Sequence, residues 1–224
     1  MSRPLLYIEV DSPGACAVRM LANIIGLELD LKEVDMDNLE HKSPAYLKLN
    51  PMGTIPVLID GDFVLSDSHA ILKYLVSQYG GDKRESLYPS DLRKRAIVDQ
   101  VLFFDTGSFF VRIYNVIISA ASQGATGPSE AEQKAIAADY RALEAYLTKH
   151  KYVAADNLTI ADLSLAATIA ITQIALRLDP EIYPRGAAWF SKMSQEPYFK
   201  KIMVPGVEFL DKYMIDTWES NKRK

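Results

Sequence analysis

The sequence predicts a small α/β domain built on a mixed sheet, followed by an all-helical domain. Three observations carry this reading. Short β-prone runs alternate with helical spacing from Leu5 to Tyr79. The stretch Gly80-Gly81-Asp82-Lys83-Arg84-Glu85-Ser86 breaks every periodic pattern, and from Leu92 onward there is hardly any strand signal.

Leu5 to Val10 is apolar and β-prone, Ala15 to Ile25 has helical spacing, and Leu29 to Val34 alternates Leu29, Leu31, Glu33 against Asp30, Lys32, Val34. That is a βαβ start. Pro44 to Leu49 suits a short helix, and Asp60-Gly61-Asp62 joins Val57-Leu58-Ile59 to Phe63-Val64-Leu65. An Asp-Gly turn between two apolar runs is a hairpin signal. Ala70 to Tyr79 then returns to helical spacing.

The second region reads as helices at Leu92 to Ser122, Glu130 to His150, Ile160 to Leu178, Ala187 to Ser194 and Val207 to Tyr213. Ser129 with Glu132, and Thr159 with Asp162, place reciprocal caps at two helix starts, where backbone N–H groups lack intrahelical partners. The division expected is 1–80, a linker 81–90, and 91–224. No internal repeat or low-complexity segment is present.

Composition narrows the function classes. Lys and Arg number 25 against 29 Asp and Glu, a net charge of −4 that gives no electrostatic reason to expect nucleic acid. The basic end Lys222-Arg223-Lys224 is too short for a binding patch. Glu9 stops the apolar N-terminal run before the length of a signal peptide, and Leu163 to Leu176 is well short of a membrane span. Cys16 is the only cysteine, so no internal disulfide is available and a reducing cytosol fits best. In that setting the sequon Asn157-Leu158-Thr159 is accidental. No metal is expected.

The chemistry concentrates in Asn50-Pro51-Met52-Gly53-Thr54-Ile55-Pro56-Val57-Leu58 and Asp67-Ser68-His69-Ala70-Ile71. Pro56 has no N–H to give and stands at the entrance to a strand, in a cis bond with the backbone of Ile55 turned outward or simply as the start of an edge strand. Asp67-Ser68 opens a helix, whose free N–H groups and dipole favour an anion. A carboxylate docks on Ser68 while Asp67 pairs with an ammonium, or the two merely cap the helix. Ser12-Pro13-Gly14 puts a hydroxyl at another helix start. With no Ser-His-Asp order or Gly-x-Ser-x-Gly elbow around it, Ser12 reads as a donor to an anion rather than a nucleophile.

These residues resemble a cytosolic glutathione S-transferase. Leu49-Asn50-Pro51, Thr54-Ile55-Pro56-Val57-Leu58 and Asp67-Ser68-His69-Ala70-Ile71 look like the insect delta and epsilon classes, nearer epsilon. The resemblance extends through Leu87-Tyr88-Pro89, Arg95-Ala96-Ile97-Val98-Asp99-Gln100 and Leu158-Thr159-Ile160-Ala161-Asp162. It implies a thioredoxin-like first domain and glutathione as co-substrate. It also implies that Ser12 donates to the glutathione sulfur, lowering the thiol pKa from about 8.5.

By the same resemblance Ile55 pairs its backbone with the cysteinyl unit, beside Thr54 and Pro56. Asp67 and Ser68, with His69 next to them, hold the γ-glutamyl end. His41 lies near the glycyl carboxylate, and Asp99 reaches the glutathione of a second subunit in a homodimer. The electrophile pocket would be lined by Pro13, Phe110, Ile113, Tyr114, Ile117 and Phe209, although a stripe such as Phe110, Ile113, Tyr114, Ile117 and Ala121 is equally the pattern of a core face.

Three departures or rivals stand out. Gly53 occupies the place of a family histidine, with Met52 before it in place of glutamine. A missing charge-assisted bond of about 1.5–3 kcal/mol predicts weak glutathione binding and a gain from Gly53→His. Cys16 stands where many relatives carry arginine and reads as inert packing. An omega-like thiol enzyme would need its cysteine at the position of Ser12. Tyr7 is the rival thiol activator on the first strand. The activity implied is conjugation of glutathione to hydrophobic electrophiles, with peroxidase, isomerase or dehydrohalogenase variants. The alternative is a noncatalytic carrier or scaffold.

Overall fold

The computed structural model describes residues 3–223; Met1 and Ser2 of the N-terminal run and Lys224 of the basic end lie outside them. Strand β1 (Leu5–Ile8) runs parallel to β2 (Asp30–Glu33) and antiparallel to β3 (Val57–Asp60), which pairs antiparallel with β4 (Phe63–Ser66). The order is β2-β1-β3-β4, a mixed four-stranded sheet. Helix α1 (Pro13–Ile25) links β1 to β2, α2 (Pro44–Leu49) precedes β3, and α3 (Ser68–Tyr79) follows β4. This is the expected βαβ, short helix, ββα order.

Alternation along the strands decides the faces. Leu6 and Ile8 of β1 and Leu58 of β3 are buried in the main core with α1 and α3, whereas Tyr7 packs on the other side with Tyr46 of α2. All four residues of the edge strand β2 are exposed, including Leu31, so its alternation does not mark a buried face.

A short 3₁₀ turn (Gly81–Lys83) and α4 (Arg84–Leu87) occupy the stretch read as a pure break. The helical domain comprises α5 (Leu92–Phe104), α6 (Phe110–Gln123), α7 (Glu130–Tyr146), α8 (Ile160–Thr172), α9 (Pro184–Gln195), α10 (Pro197–Ile202) and α11 (Val204–Lys222). The expected 92–122 helix is continuous but carries one π turn, Asp105–Phe109, between α5 and α6. The end of the chain differs most from expectation: α10 was not anticipated, and α11 runs well beyond Val207–Tyr213 on both sides. Pro184, Pro197 and Pro205 lie in the first turn of their helices, where a missing N–H costs nothing.

Helix α8 is the hub: every residue of it is buried, and it packs against α1, α5, α3 and α11. One continuous apolar core therefore runs from Leu6 to Met214 across both domains. Asp162 fixes the helix start, accepting from Val153 N at 3.0 Å, Thr159 N at 2.8 Å, Thr159 Oγ1 at 2.8 Å and Trp189 Nε1 at 3.0 Å. Burial raises its carboxyl pKa, and these donors act against that. The capping box of Ser129 and Glu132 forms as read.

Among the described residues the helix Leu92–Gln123, rather than Leu163 to Leu176, is the one long and apolar enough to span a membrane by composition. It carries buried, hydrogen-bonded Asp105 and packs on α7, α8 and α11.

Candidate active site at two facing helix starts

Ser12 is the N-cap of α1. Its Oγ accepts from Ala15 N at 3.3 Å, which leaves the hydroxyl hydrogen free to donate. Pro13, buried at the first helical position, presets the turn. Gly14 follows, and its missing Cβ matters: a methyl there would stand 2.8 Å from Ser68 Oγ, 2.9 Å from Ser68 Cβ and 3.4 Å from Pro56 Cδ. The starts of α1 and α3 and the turn before β3 therefore meet at one point. Both helix starts carry unpaired N–H groups and the positive ends of helix dipoles, so the point is suited to anions.

The turn before β3 is held rigidly. Asn50, fully buried, donates from Nδ2 to Thr54 O at 2.8 Å and Thr54 Oγ1 at 2.9 Å, and accepts from Met52 N at 3.1 Å. Tyr46 Oη adds a bond to Thr54 O at 2.9 Å. The Ile55–Pro56 peptide is cis. Strand pairing begins only at Val57 with Ser66, so the backbone N–H and C=O of Ile55 stand off the ladder, available to an extended peptide.

Asp67 caps α3 through Ala70 N at 3.0 Å and adopts φ 74°, a conformation costly for a non-glycine residue and characteristic of ligand-binding positions. Its side chain is 59% exposed, leaving Oδ2 accessible to a cation. Ser68, the first helical residue, has a backbone N–H with no intrahelical acceptor. The bland and functional readings of Ser12 and Asp67 are thus compatible, because each caps its helix with one atom and keeps another free.

His69 departs from expectation. Its ring faces the helical domain, with Nε2 3.2 Å from Asp105 Oδ2 and 3.0 Å from Ser164 Oγ, and Nδ1 3.4 Å from Ser68 Oγ. It touches the candidate site through Ser68 Oγ, with Nδ1 also 3.9 Å from Asp67 Oδ1. Ser164 also donates to Asp105, closing a buried cluster that joins α3, the π turn and α8. Asp105 and Ser164 were not singled out in the sequence. Asp99 is likewise engaged within its own chain, accepting from Lys73 Nζ at 2.7 Å and Tyr88 Oη at 3.0 Å. It ties α5 to α3 through Oδ1, which takes both bonds.

His41 is buried, 9% exposed, with Nδ1 unpartnered; burial and then the neighbouring Lys42 charge lower its pKa. Gly53 has φ 60°, and a Cβ on it would stand 2.8 Å from His41 O and 2.9 Å from Lys42 Nζ. A histidine at this position would be strained, and its Cβ would press on the His41 carbonyl. The space it would fill is taken by Lys42.

The two rivals, Cys16 and Tyr7, sit in different surroundings from Ser12. Cys16 is fully buried, its Sγ donating to Val10 O at 3.4 Å and Ile202 O at 3.7 Å, and burial pushes its pKa up to about 11. A thiol so protonated is a poor nucleophile. Tyr7 packs edge-to-face on Tyr46 at 5.7 Å, under Lys32.

Among the expected pocket residues, Ile113 is fully buried and belongs to the core, not the pocket. Phe110 stacks on Tyr114 at 5.9 Å; Tyr114 and Phe209 are half exposed, and α6 packs against α11. Asn221 fixes the end of α11 by donating to Ala120 O and Ala125 O, each at 2.9 Å. Among the described residues no group of three His, Cys, Asp or Glu is placed to hold a metal.

Glu9, whose C=O accepts from Ser12 N at 3.2 Å, has its carboxyl pKa raised from 4.5 to about 7, by burial first and then by Asp11, Glu33 and Asp37. The folded state thus binds its proton more tightly than the unfolded chain. Its stabilising share is full below 4.5 and is lost as pH rises through about 7. Glu9→Gln should gain about 1 kcal/mol over the parent at about pH 8, allowing for solvent screening, and nothing below about pH 4. Thermal melts of both proteins at the two pH values check this.

Comparison with known proteins agrees with the geometry. The glutathione S-transferase N-terminal domain family matches residues 5–77 and the C-terminal domain family matches residues 113–197. Glutathione S-transferase D7 of Anopheles gambiae is 39% identical over 92% of this chain and 94% of its own. An epsilon-class glutathione S-transferase of housefly, Musca domestica, superposes with a TM-score of 0.92 at 32% identity, covering 96% of this chain and 98% of that one. A glutathione transferase homologue from Drosophila mojavensis, solved with bound glutathione, gives 0.90 at 36% identity over 99% and 98% of the two chains. With both domain families matched in order on a mixed sheet and a helical bundle, this chain belongs to the glutathione S-transferase family, among its insect delta- and epsilon-like members.

Proposed function

We propose that this protein conjugates the thiol of glutathione to hydrophobic electrophiles in the cytosol, as a detoxifying homodimer of units 1–80 and 91–224 joined by 81–90. The observation that carries this is the meeting of Ser12, Ser68 and the turn of Ile55–Pro56 around Gly14. Asp67 and the Ser68 N–H take the γ-glutamyl ammonium and carboxylate, and the Ile55 backbone takes the cysteinyl unit. The Ser12 hydroxyl donates to the sulfur, favouring the thiolate, whose proton passes to solvent. The sulfur lone pair then forms a bond to carbon, and the leaving group departs with its bonding pair.

The half-exposed Tyr114 and Phe209 support an open apolar site for the electrophile. Exposed Phe63, Val64, Leu92 and Phe103 support burial of an apolar face against a second subunit. An aryl halide assay with saturating glutathione is expected to show turnover above the uncatalysed rate. Tight glutathione binding with no turnover would replace this reading with the carrier.

A further inference from the structure

The loop that carries Ile55 begins at Gly53, and a lysine from the preceding turn is seated over it. Lys42 ends the 3₁₀ turn Glu40–Lys42. Its Nζ donates to Gly53 O at 2.9 Å and to Met52 O at 3.4 Å. An ammonium has three donors, so one remains for a ligand. Residue and space are matched: a Cβ at position 53 would lie 2.9 Å from that nitrogen, so only glycine leaves the ammonium where it is.

His41 stands beside it with Nδ1 buried and unpartnered. A buried N–H without an acceptor is the rarer orphan, which favours the tautomer with its proton on Nε2. Lys42 thus offers a full positive charge at the entrance to the turn, with His41 its neighbour in the chain. Bound glutathione has one charged group unassigned by Ser12, Ile55, Asp67 and Ser68, the glycyl carboxylate. It lies on the far side of the cysteinyl unit from the γ-glutamyl end.

We propose that Lys42, seated over the bare Cα of Gly53, is the cationic ligand of the glycyl carboxylate, with neutral His41 as a second donor. This rests on the glutathione reading above. It replaces the expected defect at Gly53 with a substitution of one ligand by another from a neighbouring turn.

Calorimetry with glutathione and with its glycinamide, which lacks the carboxylate charge, tests it. The unsubstituted protein is expected to prefer glutathione about tenfold, the order of a charge-assisted bond. Lys42→Met should weaken glutathione about tenfold, leave the amide unchanged and abolish the preference. Lys42→Arg should keep the preference, and Gly53→His should not exceed the parent in affinity. Equal weakening of both ligands in Lys42→Met would show that the lysine only braces the turn, and would overturn the proposal, as would an undiminished preference. No binding of glutathione by the unsubstituted protein would overturn the glutathione reading itself.

Discussion

Ser12→Ala is expected to lower kcat/KM for conjugation about 10²–10³-fold, the effect of removing one donor aimed at developing negative charge. The hydroxyl has two jobs in the structure, and only one is chemical. As the N-cap it accepts from Ala15 N, and losing that bond costs about 1 kcal/mol, too little to unfold a chain with so continuous a core. The hydroxyl hydrogen has no competing acceptor among the described residues, so its donation to sulfur is the part that moves the rate. Glutathione affinity should change little, because Ile55, Asp67 and Ser68 remain. The control is Tyr7→Phe, expected to leave the rate within about twofold, since Tyr7 is packed on Tyr46 beneath the sheet. Loss of conjugation in Tyr7→Phe alone would transfer the role to the tyrosine.

The greatest loss of stability is expected at Asp162. Truncation to alanine removes the acceptor for two backbone N–H groups, the Thr159 hydroxyl and the Trp189 indole, all inside the core. Buried donors stranded together cost about 3–5 kcal/mol, or roughly 10 °C in a chain of this size. Asp162→Asn should lose less, retaining one carbonyl oxygen while placing its amide against donors. Because α8 underlies α1, α3 and α5 together, the melt should remain a single transition at lower temperature. An unchanged melting temperature would mean that Asp162 is not the anchor of the helix. The specific activity of the folded fraction at low temperature should be preserved, which separates this variant from Ser12→Ala.

Much of the fold was legible because its signals are local. The strands alternate, Asp60-Gly61-Asp62 turns one hairpin, and Thr159 and Asp162 announce a helix start within a few residues. The local geometry of the candidate site was legible for the same reason at Ser12, Ile55–Pro56 and Asp67–Ser68, each a cap or turn set by adjacent residues. What escaped is tertiary. His69 meets Asp105 and Ser164 across 36 and 95 residues, so its partners have no sequence signature, and the π turn that places Asp105 has none either.

Ile113 and Tyr114 are neighbours on one stripe, yet one is fully buried and the other half exposed, a distinction fixed by the packing of α7 and α11 around α6. Gly53 read as a loss because the sequence shows the missing side chain and not the lysine that fills its space.

The decisive measurement is a pH titration of the thiolate absorbance of glutathione bound to the parent protein and to Ser12→Ala. The parent is expected to titrate near neutrality, a unit or more below the free thiol at about 8.5, and Ser12→Ala close to the free value. Bound glutathione that titrates as the free thiol in the parent protein, or identically in both, would contradict the assignment of Ser12.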